Sequence, residues 1–243
     1  MFKRRSYQPE YLDNLTLTGQ ALRDNLDEIE VVNRWLGGKK VFLSSLQTVY
    51  QRYKSQFHQR AISLLDIGCG NGDLLREANL WGQKHQLNIQ ASGIDANPQT
   101  IAYAREKSQD HTQIEYKVQN IFTAEFKQRH FDVVTMNLFC HHLLEKDLKI
   151  ILENLTQQTR LAIIINDLHR HFLPYYTIKL LTRIFPCSYL IKNDAPLSVL
   201  KGFHKQELLD LLQPPITQTQ GNSLHLNWMW PFRWQIIIWC QNP

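Results

Sequence analysis

Cysteine is scarce. Four residues, Cys69, Cys140, Cys187 and Cys240, lie far apart and form no C-x-x-C pair, which excludes a zinc ribbon and a disulfide framework and suits a reducing, cytoplasmic setting. Long apolar runs are missing as well. No stretch approaches the roughly 20 residues that a membrane-spanning helix needs, and the greasiest one, Trp228 to Trp239, is interrupted by Pro231 and Arg233 and reads as strand. No secretory leader is expected, because Met1-Phe2-Lys3-Arg4-Arg5 runs into polar Ser6-Tyr7-Gln8-Pro9-Glu10. Repeats and low-complexity segments are absent. Charge of one sign is not concentrated either: the net +5 is spread along the chain, so no nucleic-acid partner is expected. With no H-x-x-x-H and no cysteine cluster, no metal is called for.

What is present begins with a core. Hydrophobic residues make up 43% and charged ones 20% of 243 residues, enough to bury one α/β domain with an appendage and too apolar for disorder. The most informative stretch is Ala61-Ile62-Ser63-Leu64-Leu65-Asp66-Ile67-Gly68-Cys69-Gly70-Asn71-Gly72-Asp73. A short apolar run, an acid, glycines at every second position and then a helical pattern read as a buried parallel strand, a tight turn and a helix. Glycine lets the turn backbone approach a ligand where a Cβ would collide, and the helix N-terminus points its N–H groups back at the loop. A dinucleotide fingerprint would be G-x-G-x-x-G. Here the third glycine comes one residue early, and Asp73 stands where that pattern wants glycine.

The resulting D-x-G-x-G-x-G resembles the first motif of the class I S-adenosylmethionine (SAM)-dependent methyltransferases. The resemblance covers residues 61 to 168 by motif and the remainder by order of elements. It implies a Rossmann-like, doubly wound α/β fold with a seven-stranded, mostly parallel sheet and an antiparallel last strand. It also implies SAM as cofactor, S-adenosylhomocysteine as product, and a loop of Asp66, Gly68, Gly70 and Gly72 around the methionine part. A second strand, residues 87–95, ends in Asp95-Ala96-Asn97-Pro98, the second signature of the family. A carboxylate at that strand end can accept from both ribose hydroxyls, and Asn97 is the better N-cap for the next helix. After a third strand at 113–118, Asn120-Ile121 takes the place beside adenine, with a plain turn as the competing role for Asn120.

The fourth strand, Phe131 to Met136, delivers Asn137-Leu138-Phe139-Cys140-His141-His142 to the mouth of the sheet. Asn137 is assigned to the cofactor. The family's nucleobase-amine enzymes carry prolines after this asparagine, and none follows here. Cys140 as a pyrimidine-attacking thiolate competes with Cys140 as a buried filler, and the filler is preferred. The histidine pair is the candidate general base, with His142 favoured slightly over His141; capping of the next helix is the alternative. A fifth strand, Arg160 to Ile165, ends in Asn166-Asp167-Leu168-His169-Arg170-His171. Asp167 is assigned to orient the histidine, with an Asx-type cap as the alternative. His169 is a reserve base or acceptor contact, Arg170 a contact for an anionic acceptor or a cover for the cleft, and Tyr175 a further acceptor contact.

Residues 1–60 read as an N-terminal helical cover, ended in part by Gly37-Gly38, and residues 61–243 as the SAM-binding domain. Arg34 is expected either to grip the SAM carboxylate or to serve as a solvated helix-end cation. Residues 172–203 form an insertion after strand five: a helix to Phe185 and a looser Asn193 to Leu200. It suits a lid over a flat or greasy acceptor and equally a homodimer surface. A helix from Phe203 to Leu212, closed by Pro214-Pro215, and strands near 216–226 and 232–240 complete the chain. Within the family, Asn33 to Gly38, Asn166 to Arg170 and Asp194 to Ser198 look like a bacterial subgroup often linked with polyketide or quinone pathways. The expectation is therefore an O-methyltransferase acting on a small hydroxylated, phenolic or polyketide- or quinone-like acceptor. The alternatives are ring C-methylation and a SAM-fold assembly protein without turnover.

Overall fold

The computed structural model describes residues 1–217 and 221–241. Its sheet holds β1 (Ile62–Ile67), β2 (Ile89–Asp95), β3 (Glu115–Val118), β4 (Phe131–Asn137), β5 (Thr159–Leu168), β6 (Ser223–Met229) and β7 (Arg233–Trp239), in the order β3-β2-β1-β4-β5-β7-β6. Strands β1 to β5 are parallel, and β7 runs antiparallel to both β5 and β6. This is the doubly wound, seven-stranded, mostly parallel sheet expected from the sequence. The apolar runs of β1 and β4 are continuous because both faces of the sheet are covered by helices.

Helices α1 (Gly19–Trp35), α2 (Gly38–Arg52) and α3 (Lys54–Gln59) precede the sheet. They are followed by α4 (Asp73–Lys84), α5 (Pro98–Lys107), α6 (Ala124–Lys127), α7 (Glu145–Gln158), α8 (Phe172–Ile184), α9 (Tyr189–Lys201) and α10 (Lys205–Thr217). On one face of the sheet Phe42, Leu46, Leu75 and Ile101 share a core with Leu64, Val133 and Ile164. On the other, Leu148, Ile151, Leu208 and Leu211 pack on Leu65, Val134 and Ile163. The order of strands reverses between β1 and β4, so a crevice opens beyond their carboxyl ends. Asn97 caps α5 as its type suggests, accepting from the N–H groups of Gln99 and Thr100 ahead of Pro98.

Two local expectations fail for one reason, that burial outweighs propensity, and a third fails at the N-terminus. The looser piece at 193–200 is the body of α9, where Leu190, Ile191, Leu197 and Val199 are buried and Pro196 sits inside the helix. A single proline forfeits one backbone bond and crowds one carbonyl, less than those apolar side chains gain. Helix α10 likewise runs through Pro214 and Pro215 to Thr217, with Pro215 and Ile216 buried. The strand expected near 216 therefore starts only at Ser223; residues 218–220 lie outside the described residues. Finally, residues before Gly19 are an extended strap with one 3-10 turn at Tyr11–Asp13, not helix. The buried Arg5 guanidinium ties that strap down through the carbonyls of Lys201 (2.9 Å) and His141 (3.1 Å). The Asp194 carboxylate accepts from the Tyr11 and Leu12 N–H groups at 2.9 and 3.0 Å.

Candidate active site

A cavity of about 980 Å³ occupies the crevice. Its first end is built by loops that leave β1, β2 and β4. Asp66 lies one residue before the end of β1, buried, and accepts from the Thr135 hydroxyl at 2.6 Å and the Asn137 amide at 3.3 Å. Burial pushes its carboxyl up to about 7, against the pull of those two donors. Gly68, Gly70 and Gly72 all have positive φ. A Cβ on Gly70 would find nothing nearer than Leu26 at 3.8 Å, so bare backbone faces the cavity there. Gly72 differs from its assignment: it does not line the cavity, and a Cβ on it would strike the Tyr116 hydroxyl. Its glycine is required by packing at the start of α4.

Asp95 and Ala96 line the cavity at the end of β2. Burial raises the Asp95 carboxyl above its usual range, opposed by the N–H groups of Asn97, Gly70 and Ala96. Asn120 and Ile121 line the same end, and the Asn120 side-chain oxygen accepts from the Phe122 N–H at 2.9 Å, so its turn role is realised. Asn137 presents a buried side-chain oxygen with no hydrogen-bond partner. Asn71 and Asp73 also face the cavity, and burial first, then Glu30, drives Asp73 up to about 6. These groups fit a cationic nucleoside: carboxyls that burial keeps raised, an orphan acceptor and a cradle of naked backbone.

The second end gathers residues from distant parts of the chain. His141 and His142 follow β4 in a 3-10 turn. His141 is buried, its Nδ1 is 2.8 Å from Asp167 Oδ1, and its backbone N–H donates to the same carboxylate at 3.2 Å. Burial would raise Asp167, but the His141 charge and hydrogen bond hold it below the usual range. The partner of Asp167 is thus His141 and not the favoured His142. His142 pairs instead with Asp13 at 2.6 Å. Burial pulls His142 down, yet the Asp13 hydrogen bond and the Glu10 and Asp13 charges leave it above the ordinary imidazole value, with its Nδ1 taken up by Asp13. Glu10 Oε1 sits 3.9 Å from His141 Nε2 and 3.2 Å from the Lys201 amine, which also reaches Asp13 at 3.1 Å. Glu10, Asp13 and Lys201 all line the cavity. The sequence offers no local sign of them, since the strap and α9 meet the histidines only through folding.

Other assignments change. Arg34 is exposed near the C-terminus of α1 and does not line the cavity, whereas its neighbours Asn33 and Trp35 do. Arg170 is buried and spent on the Phe2 and Gly202 carbonyls and on Glu207, so it does not contact the cavity. Tyr175 packs edge-on against Phe2 at 5.5 Å, behind the face of α8 that lines the cavity with Pro174, Thr177, Ile178 and Leu181. His169 does line it; its Nδ1 accepts from the Trp228 indole at 3.1 Å, and burial, then the neighbouring His171, His204 and Arg170, lowers it to about 4. Cys140 is buried against Met136, with burial raising its thiol well above the usual value, so no thiolate is available.

Residues 64–160 match the family described as a methyltransferase domain. No curated protein sequence matches the chain. Among solved structures, the plantazolicin methyltransferase BpumL in complex with a triazolic desmethylPZN analog and SAH shares 15% identity over 90% of each chain, with a TM-score of 0.67. An O-methyltransferase family protein from Burkholderia thailandensis shares 14% over 98% of this chain and 66% of its own, with a TM-score of 0.64. The magnesium protoporphyrin IX methyltransferase ChlM from Synechocystis PCC 6803, with bound SAH, shares 13% over 95% and 92%, with a TM-score of 0.54.

Proposed function

We propose that this chain is a SAM-dependent methyltransferase, a reading supported by the methyltransferase-domain match over residues 64–160, and that it methylates a hydroxyl oxygen of a small, apolar, ring-containing acceptor with His141 as general base. The observation that carries this reading is the buried His141–Asp167 pair, 2.8 Å apart, in the same cavity as the glycine loop and Asp95.

Gly68 and Gly70 would receive the amino-acid end of SAM on bare backbone, Asp66 and Asn137 would face its cationic groups, Asp95 would accept from the ribose, and Ile121 would cover the base. When bound, SAM supplies a methyl group already activated on a sulfonium. The protein's remaining tasks are alignment and proton removal. With the Nδ1 hydrogen directed at Asp167, the Nε2 lone pair of His141 is left for the acceptor hydroxyl. Glu10, 3.9 Å from Nε2, favours the imidazolium that forms. A phenol, with a pKa of about 10, lies within reach of imidazole as base. Leu36, Leu168, Pro174, Ile178, Leu181 and Phe232 give the second end an apolar wall that suits a flat ring. Strap and α8–α9 together serve as cover and lid, and the four unpaired cysteines suit a reducing cytoplasm.

The test is turnover of a panel of phenols, polyketides and quinols by His141→Ala. A loss of ~10²–10⁴-fold with unchanged SAH affinity in calorimetry is expected. Equal turnover by the variant removes His141 as base, and methyl found on carbon in the product removes the O-transfer assignment.

A further inference from the structure

Helix α8 turns one full row of side chains away from the protein. Phe172, Tyr176, Leu180 and Ile184 recur at every fourth position, one above the other on the helix surface, and are 50%, 58%, 59% and 65% exposed. The row continues past its N-terminal end through ring contacts: His171 lies 4.4 Å from Phe172 and 5.0 Å from Phe232, and Phe232 lies 5.9 Å from Trp230. Trp230 and Trp35 are 72% and 81% exposed, and both stand at the cavity mouth. A contiguous apolar face of this extent marks an interaction site.

Its charge tells which kind. Helix α8 contains no acidic residue and carries Lys179 and Arg183. Phe2 packs on Tyr175 and Tyr176, which sets exposed Lys3 and Arg4 beside the same row. Among the described residues, none of these four cations has a carboxylate within ion-pair distance. An apolar row, a cationic border and exposed tryptophans match the boundary of an anionic bilayer, where indole rings settle at the headgroups and lysine or arginine meets lipid phosphate. A second copy of the chain would have to set these cations against their own like.

We propose that the α8 row and the tryptophan mouth lie on the surface of an anionic lipid bilayer, so that the cavity opens toward the membrane. No helix among the described residues is long and apolar enough to span it, so the contact is peripheral. On the proposed methyltransferase reading, the acceptor would then enter from lipid; the docking itself does not depend on that reading.

The experiment is co-sedimentation of the full chain with vesicles of phosphatidylcholine alone and of phosphatidylcholine mixed with phosphatidylglycerol. Binding to the mixed vesicles, falling as salt rises, is the expected result. Leu180→Glu with Ile184→Glu, both exposed and outside the core, should lose at least tenfold in vesicle affinity while SAH affinity and circular dichroism stay unchanged. Arg183→Glu with Lys3→Glu should weaken binding to mixed vesicles only, by about fivefold or more for each charge. Failure of the wild type to bind mixed vesicles, or equal binding by Leu180→Glu/Ile184→Glu, overturns the proposal. So does a dimer in sedimentation velocity that this double variant abolishes. Loss of SAH binding by the wild type would instead count against the methyltransferase reading.

Discussion

The two ends of the cavity hold similar numbers of carboxylates in opposite electrostatic states. At the glycine-loop end, Asp66, Asp73 and Asp95 are all raised, chiefly by burial, which the charges of Arg76 on Asp73 and His142 on Asp95 offset only in part. At the histidine end, Asp13 and Asp167 are held low in spite of burial, because His142, Lys201 and His141 answer them. One end is acidic with its carboxyls raised; the other pairs its acids with cations and offers apolar walls. On the proposed reading, a cofactor with an ammonium and a sulfonium suits the first, and an uncharged ring the second.

The strongest way to break this contrast is to unbalance the neutralised end. Lys201 is buried between Glu10 and Asp13, and Lys201→Met leaves Glu10 as a buried charge without its cation. A loss of ~3–5 kcal/mol in chemical denaturation is expected, with SAH affinity moved less than about twofold because Lys201 serves the far end. A comparable loss of SAH affinity would merge the two ends into one.

Next in size, Asp95→Ala should weaken SAH by ~10²-fold in calorimetry, since a carboxylate that accepts from two hydroxyls contributes about 1.5–3 kcal/mol per bond. Its stability should change little, because the charge that burial disfavours is removed together with its bonds to the Asn97, Gly70 and Ala96 N–H groups. Substantial destabilisation with normal SAH affinity would show that Asp95 serves the fold and not the ligand.

A smaller effect, and one that can be read in either direction, comes from pH. The folded carboxyl of Asp66, raised to about 7, lies above the unfolded value of about 4. Between those values the native state holds a proton that the unfolded chain has lost, so stability falls as pH rises from about 4 to about 7 and is level beyond. Asp66→Asn removes that slope, and thermal melts across the window should show a flatter curve for the variant. A cationic ligand beside Asp66 favours its ionised form, so SAH or SAM binding near pH 6 should release a proton, visible as buffer-dependent heat. An unchanged slope in the variant would mean that Asp66 is already ionised by a cation.

The glycine-loop end was legible because its residues are neighbours in the chain. Asp66 to Gly72 spans one turn, Asp95 and Asn97 flank one strand end, and the strand-loop-helix grammar fixes where each points. The histidine end was legible only in kind. Just past the end of β5, His169 reaches the cavity while Arg170, one residue on, turns inward to Phe2, Gly202 and Glu207; residue type could not tell one from the other. On α8 the lining face is set by Pro174, Thr177, Ile178 and Leu181, which puts Tyr175 on the far side. Glu10 and Lys201 are separated by most of the chain and meet only because the Arg5 strap docks on α9. No window of sequence contains that encounter, and the choice between His141 and His142 depended on it.

The smallest expected effect tests the correction at Arg34. A guanidinium was the natural partner for the carboxylate of the cofactor, and the sequence placed one just before the Gly37-Gly38 break. The fold turns it outward: Arg34 is exposed in the last turn of α1 while Asn33, one residue earlier, is buried at the cavity wall. As a helix-end cation it is worth only a few tenths of a kcal/mol, up to about 1. Arg34→Ala should therefore leave SAH affinity within about twofold and stability within ~0.5 kcal/mol. Asn33→Ala, by contrast, opens the wall of the cavity and should disturb ligand binding. A tenfold loss of SAH affinity in Arg34→Ala would mean that α1 rotates on binding and brings the guanidinium in to the glycine-loop end.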